Sequence, residues 1–249
     1  MKKLIAVLLG LSIACGAFAQ GFGSMTSDVD LYVELGDSPF TFQPLSYVFV
    51  GMDGIITPSD NLYATNTRPS RNQQFGFNMV ELAFHPYSTG TFTLGADVEW
   101  NWYHMNRDYM WVPNESNGTR VSVKNKDDAG FKEVKGSILS VCTFSFPLSF
   151  NQKVWRFNFN LGATAELNLN GCVQFKGITT DGTVVNEMKG GNRYSKNIAT
   201  NLFSYNIHAA ISYGGLGVYA KYRPKAVLQD SYGPQFQTWT IGLILGLGM

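Results

Sequence analysis

The sequence predicts an all-β protein: an eight-stranded antiparallel up-and-down transmembrane β-barrel with short periplasmic turns and long extracellular loops. The first observation is residues 155–169, WRFNFNLGATAELNL, where apolar side chains occupy odd positions and polar ones occupy even positions. The second is that such period-two segments recur eight times along the chain. The third is that the connections between them alternate between long and short, as in outer-membrane barrels.

Turn signals and strand length place the elements. A strand of a soluble sandwich usually has about 5–6 residues, whereas a tilted transmembrane strand needs about 9–11. The short connections are predicted at Pro86 to Gly90, Asn151-Gln152 and Gly214-Gly215. The eight strands are then predicted, in chain order, at residues 45–54, 74–86, 91–104, 137–150, 153–170, 200–213, 216–224 and 237–248.

The patterns assign faces to most of these strands. The first strand is apolar on both faces and the second changes phase near Val80, so the facing of both stays open, with a β-bulge as one explanation. In the third strand, Asp97 and Glu99 share a face opposite Val98 and Trp100. The last strand alternates large apolar residues with threonine or glycine, apart from Ile244.

Two short turns allow a check of register, because a two-residue hairpin pairs the residues that flank it. Across Asn151-Gln152, even positions before the turn should pair with odd positions after it. The apolar residues are indeed at even positions before this turn and at odd positions after it. Across Gly214-Gly215, Tyr213 should pair with Leu216, and the apolar faces again coincide. Both hairpins are therefore consistent with one lipid-facing surface.

The beginning of the chain predicts the compartment. Lys2 and Lys3, an apolar run and Ala17-Phe18-Ala19 resemble a secretory signal, so we expect residues 1–19 to be cleaved, 20–43 to be a periplasmic lead-in with a strand near Leu31 to Leu35, and 44–249 to form the barrel in the outer membrane. Charged residues are 15% of the chain, and the formal charge is +1. This charge gives no basic field for nucleic acid.

The inward face should carry a polar network. An eight-stranded barrel leaves an interior just wide enough for side chains to fill, so inward charges must find partners. We interpret the inward set as a structural ion-pair network, with a proton or ion path as the alternative. Its predicted members are Glu81, Asp97, Glu99, Arg156, Glu166, His208, Lys221 and Arg223.

The outward face should carry aromatic girdles, which flank the apolar band of membrane barrels. A soluble eight-stranded ligand carrier would instead need an apolar interior and a charged exterior. The predicted girdle residues are Trp100, Trp102, Trp155, Phe157, Phe203, Tyr213 and Trp239.

Connections 55–73, 105–136 and 171–199 are polar, and the last contains a predicted hairpin around Asp181-Gly182. They are the expected contacts with an unknown extracellular or envelope partner. His104 and Ser140 are the candidate residues for a lipid-modifying enzyme, but no carboxylate can be placed beside them. We predict no catalytic, cofactor or metal site.

The segment GLGVYAKYRPKAVLQDSYGPQFQTWTIGLILGLGM resembles the last hairpin of a Bacteroidota family of small, eight-stranded, porin-like outer-membrane barrels. The matching residues are Tyr219, Ala220, Lys221, Tyr222, Pro224, Gly233-Pro234 and Gly242. The resemblance covers about 35 residues strongly and implies location and architecture more than activity. Many outer-membrane barrels end in an aromatic residue. Met249 stands in that place with outward parity, and we expect the barrel-insertion machinery to recognise it.

Together these features predict a monomeric structural or surface-interaction protein that contacts outer-membrane lipid and acts through its loops. A narrow channel or transporter for small solutes is the alternative, and the lipid-modifying enzyme is the second alternative.

Overall fold

The structure, a computed structural model, describes residues 33–34, 40–56, 71–113, 119–186, 195–196 and 198–246. The predicted signal segment, most of the predicted lead-in, residues 57–70 and Met249 lie outside these ranges. Within them the protein is all-β, with no α-helix. No helix in the described ranges is long and apolar enough to cross a membrane.

Eight strands of the 12-stranded main sheet form a ring, and every neighbouring pair in it is antiparallel. The strands of the ring are β3 (Tyr47–Ile56), β4 (Gln73–Tyr87), β5 (Gly90–His104), β8 (Phe131–Val154), β9 (Phe157–Thr179), β12 (Phe203–Tyr213), β13 (Leu216–Arg223) and β14 (Gln237–Gly246). They pair in this order, and β14 pairs again with β3, so the order closes into a ring.

The remaining strands extend the ring at its edges or lie in its long connections. Their bounds are β1 (Val33–Glu34), β2 (Phe40–Pro44), β6 (Tyr109–Pro113), β7 (Val121–Asn125), β10 (Val184–Asn186) and β11 (Ser195–Lys196). In the connections, β6 pairs with β7, and both β10 and β11 pair with β9. Before the ring, β1 pairs with β2, and β2 pairs with β4 beyond the end of β3.

The turn between β8 and β9 differs from the prediction. Val154 pairs with Phe157, so the turn is Trp155-Arg156 rather than Asn151-Gln152. Strand β8 ends four residues later than predicted. Because four is an even number and side chains alternate between faces, the residues predicted to face inward and outward on the two paired strands keep their faces. The turn at Gly214-Gly215 is confirmed, with Tyr213 opposite Leu216 and φ values of 53° and 83° that favour glycine.

A β-bulge explains the phase change in the second predicted strand. The register of β4 shifts between Asn78 and Val80, so its inward positions change from even to odd. On the strand that pairs with β4, Leu45 interrupts the extended backbone between β2 and β3 and has a φ of 50°. After this interruption, Phe49 and Asp53 are buried, whereas Val50 and Met52 are exposed.

Burial on the ring is the reverse of a water-soluble core. On the outer face, Leu161 is 68% exposed and Ile241 is 54% exposed. On the inner face, Asp53, Glu99 and Glu166 are each only 1% exposed. Water-soluble domains bury apolar side chains and expose charged ones, so this arrangement needs a separate physical explanation.

The larger cluster of buried apolar side chains lies toward the long connections. We call this group the apolar cluster. The cluster joins the ends of β5, β8 and β9 that lie toward the long connections, here called the upper ends, to β6, β7 and the connection between β13 and β14. Its members are Tyr103, Met105, Trp111, Val121, Leu139, Val141, Val173, Ile198, Val227, Leu228 and Phe236.

Candidate functional site in the polar interior

An ion network crosses the ring below the apolar cluster, and Arg223 stands at its centre. The Arg223 Nη2 group donates to Glu99 Oε1 at 3.1 Å and to Glu166 Oε1 at 3.0 Å. Its Nε lies 2.7 Å from Glu166 Oε2. On the same face of β13, Lys221 Nζ donates to Glu99 Oε2 at 2.7 Å. These four residues link β5, β9 and β13 across the interior.

Neutral donors complete the network. Ser204 Oγ and Asn206 Nδ2 on β12 donate to the two oxygens of Glu166 at 2.6 and 2.5 Å. Asn101 Nδ2 donates to Glu99 Oε1 at 3.2 Å. Gln74 and Tyr219 extend the chain of bonds, since Tyr219 Oη donates to Gln74 Oε1 and Gln74 Nε2 to Asn101 Oδ1. Such donors stabilise carboxylates that burial would otherwise disfavour.

Asp53 is an interior acid that the sequence analysis did not identify. It lies on β3 and accepts a hydrogen bond from Thr240 Oγ1 of β14 at 2.6 Å. The first strand is apolar on both faces, so its own pattern gives no facing. The signal that was available is composition: Asp53 is the single charged residue of Tyr47–Ile56.

The predicted acids Asp97 and Glu81 lie apart from the ion network. Asp97 accepts hydrogen bonds from Asn78 Nδ2 at 2.7 Å and from Tyr47 Oη at 3.0 Å. Glu81 follows the β4 bulge and faces the interior toward the short connections. Neither Asp97 nor Glu81 forms an ion pair with Lys221 or Arg223, whose partners among the described residues are Glu99 and Glu166.

His208 belongs to the interior but contacts hydroxyl groups rather than charges. Its ring nitrogens lie 2.9 Å from Ser149 Oγ and 3.1 Å from Thr164 Oγ1. These contacts hold the imidazole between β8 and β9 from its position on β12.

Arg156 corrects one prediction. It lies in the β8–β9 turn, is exposed, and donates from Nη1 to Tyr213 Oη at 3.3 Å. Its guanidinium also lies 5.5 Å from the centre of the Trp155 ring. The prediction placed it inside because the turn was expected four residues earlier. With Arg156 outside and Asp53 inside, the described interior has five acids, Asp53, Glu81, Asp97, Glu99 and Glu166, and, besides its histidines, the two basic residues Lys221 and Arg223.

The structure places the predicted girdle aromatics on the outer surface. Toward the short connections, Phe157 lies 5.3 Å from Tyr213, and Trp155 occupies the turn with 76% exposure. Farther up, Trp100 stacks on Phe75 at 6.1 Å, while Trp102 is half-buried. Phe203 and Trp239 are exposed, and Trp239 covers Gly54, where a Cβ would collide with its indole.

A cavity of about 430 Å³ fills the half of the interior toward the short connections. It reaches from Thr91, Asn158 and Gly215 up to Glu99 and Lys221. We expected a side-chain-filled interior. The space remains because many inward residues here are small, such as Ala83 and Ala210.

The opposite end of the interior is filled. Trp111 and Phe236 are fully buried in the apolar cluster, with ring centres 6.0 Å apart. Trp111 Nε1 donates to the Tyr103 carbonyl at 3.0 Å, and Asn201 Nδ2 donates to the carbonyls of Ala226 and Leu228. The long connections therefore cover the ion network on this side.

The long connections also build the predicted hairpin. Val184 pairs with Ile178 across Asp181-Gly182, which confirms that expectation. Asp181 accepts hydrogen bonds from Thr179 Oγ1 and from the Thr183 amide. These bonds hold the pKa of Asp181 below its ordinary value.

No family model matches this sequence. A search of curated proteins likewise finds no match. The chain's own residues are therefore the basis on which a function can be proposed. The hydroxyl of Ser140, the serine of the lipid-modifying alternative, lies with its Oγ 2.7 Å from Cys172 Sγ. The described residues contain no group of three His, Cys, Asp or Glu side chains that could hold a metal ion.

Proposed function

We propose that this protein is a closed eight-stranded β-barrel that spans the outer membrane, and that it acts as a structural or surface-interaction protein through its extracellular loops. The observation that carries the proposal is the reversed burial of the ring. Exposed leucine, isoleucine and phenylalanine side chains form its wall, while carboxylates and amides occupy its interior. A ring without a free edge satisfies its backbone internally, which the hydrocarbon core requires.

The filled upper interior favours an interaction role over conduction. A channel needs a continuous polar path, whereas the apolar cluster covers the ion network on the side of the long connections. On this side, the first residues of β8 and the turn after β9 present the exposed charged residues Lys132, Glu133 and Asp181. We therefore assign the contacts with an extracellular or envelope partner to this end, and expect the monomer to be the working unit.

Within this proposal, the resemblance of the last hairpin to the Bacteroidota barrel family supports the outer-membrane location. Tyr219 and Gly242 of that pattern pack together, since a Cβ at residue 242 would touch the Tyr219 ring and the Gly51 backbone. Outer-membrane lipid and the barrel-insertion machinery are then the expected envelope contacts. The lipid-modifying alternative would require Ser140 and His104 to act together.

Two equally exposed residues provide the test of lipid contact. Leu161 on the ring wall and Val184 in the β9–β10 hairpin are both 68% exposed. An arginine on a lipid-facing wall costs about 2–4 kcal/mol near the bilayer midplane, whereas one on a water-exposed loop costs about 0.5 kcal/mol or less. We expect Leu161→Arg to destabilise the protein in phospholipid vesicles and Val184→Arg to leave it unchanged, measured by urea unfolding.

Equal, small effects of both substitutions would contradict the proposal and favour a water-soluble ring.

Localisation is tested separately with an epitope inserted after Asp128 or after Gly214. Antibody should reach the first on intact cells and the second only after permeabilisation. A steady conductance in planar bilayers would support the channel instead.

A further inference from the structure

The cavity has the dimensions and chemistry of a ligand site. Small-molecule sites commonly enclose about 300–1,000 Å³, and an eight-stranded barrel can hold one small ligand. The cavity measures about 430 Å³ and reaches the short-connection end of the ring. It is separate from the loops to which we assign partner binding, so a ligand here would be a second property of the protein.

The charge of the lining is unbalanced. Three carboxylates, those of Glu81, Asp97 and Glu99, line the cavity together with one ammonium group, that of Lys221. Lys221 is already paired with Glu99 at 2.7 Å. Asp97 is bound only by the neutral donors Asn78 and Tyr47, among the described residues. The lining therefore holds two carboxyl groups, those of Glu81 and Asp97, that have no cationic partner among the described residues.

Glu81 is the residue that points to a ligand. Its side chain lines the cavity and is half-buried, yet it forms no hydrogen bond or ion pair with any described residue. A half-buried carboxylate without a partner keeps part of its desolvation cost, and a cation that enters the cavity would reduce that cost. Glu81 differs in this respect from Glu99 and Glu166, which are both paired with Arg223.

The remaining lining favours an organic ammonium group over a metal ion. Tyr47 and Phe49 present aromatic rings to the cavity, with ring centres 6.1 Å apart. Lys221 Nζ already lies 5.8 Å from the centre of the Phe49 ring, so this wall accommodates an ammonium group. The described residues offer no cluster of three ligands for a metal.

We propose that the cavity binds a small organic cation from the short-connection side, with its ammonium group on the Glu81 carboxylate. The hydroxyl and amide groups of Ser149, Thr164 and Asn160 then contact the polar remainder of the ligand. The site requires the ring but not the loop partner, so it can succeed or fail independently of the surface-interaction role.

The test uses the full chain folded in detergent, with 1,4-diaminobutane as the probe and 1,4-butanediol as its neutral isostere, measured by titration calorimetry. We expect saturable binding of the diamine and no binding of the diol. Glu81→Gln should weaken diamine binding about tenfold or more, because a charge-assisted hydrogen bond is lost. Glu133→Gln, a matched change at an exposed residue, should leave binding unchanged.

Three results would overturn the inference: no diamine binding to the wild-type protein at millimolar concentration, equal binding of diamine and diol, or full affinity in a folded Glu81→Gln variant. Gel electrophoresis in detergent without boiling shows whether the variant is folded, because a closed barrel stays folded until it is heated and then migrates differently. If it is not, the comparison of diamine with diol on the wild-type protein still decides the question. Mg²⁺ binding that displaces the diamine and depends on Glu81 would instead indicate a metal site.

Discussion

Replacing Arg223 with methionine removes the cation that contacts both Glu99 and Glu166. Arg223 is 2% exposed, and its Nε lies 2.7 Å from Glu166 Oε2. Removing one partner of a buried ion pair costs about 3–5 kcal/mol, because the other charge stays buried. Glu99 keeps Lys221 at 2.7 Å, so we expect the low end of this range, about 3 kcal/mol.

The assay is urea unfolding of the protein in phospholipid vesicles, followed by the fraction of the fast-migrating, unboiled gel band. A shift of the midpoint at constant slope reports the change in the free energy of unfolding. Arg107→Met is the control, since Arg107 is exposed, and its effect should stay within about 0.5 kcal/mol.

A double variant separates pairing from packing. If the cost of Arg223→Met comes from a stranded carboxylate, adding Glu166→Gln should recover part of it, with a coupling energy above about 1 kcal/mol. A stability of Arg223→Met equal to that of Arg107→Met would refute the reasoning. Strict additivity of Arg223→Met and Glu166→Gln would show that the two side chains do not act as a pair.

Three further predictions concern other parts of the molecule. Gly242→Ala places a Cβ against the Val50 carbonyl and should destabilise the β14–β3 pairing by about 1–3 kcal/mol in the same unfolding assay; an unchanged midpoint would contradict this. The pKa of Asp181 is lowered by hydrogen bonds, so it stabilises its turn at neutral pH and loses this effect as pH falls through the folded pKa. Exchange of the Thr183 amide should therefore accelerate in acid, but not in Asp181→Asn, beyond the intrinsic pH dependence of exchange. Trp111→Ala removes a fully buried indole and should cost about 3–5 kcal/mol, while a stability equal to wild type would show that the apolar cluster is not packed.

Strand faces could be predicted because alternation is a local property. In β9, the odd positions Phe159 and Leu161 are exposed and the even positions Thr164 and Glu166 are buried, as the pattern of polar and apolar residues requires. The turn at Gly214-Gly215 was equally accessible, because two glycines supply the positive φ values that a tight hairpin needs.

Other features depended on information that no local pattern carries. The β8–β9 turn contains Trp155 at a φ of 58°, a residue type that gives no turn signal, so Asn151-Gln152 was the better sequence candidate and Arg156 was misplaced. The position of Asp53 depends on the register between β3 and β14, and these strands are joined by no turn. The cavity depends on the summed volume of small inward residues on several strands.

The pairing between β3 and β14 has a consequence for biogenesis. It joins Tyr47 to Gly246 and Ile56 to Gln237, so its partners are separated by roughly 180 to 200 positions along the chain. Until synthesis of the last strand is complete, β3 keeps one row of amide and carbonyl groups without its final partner, and such an edge recruits other chains. A cell that makes this protein must therefore keep other chains away from the edge of β3 until β14 pairs with it, and that pairing closes the ring.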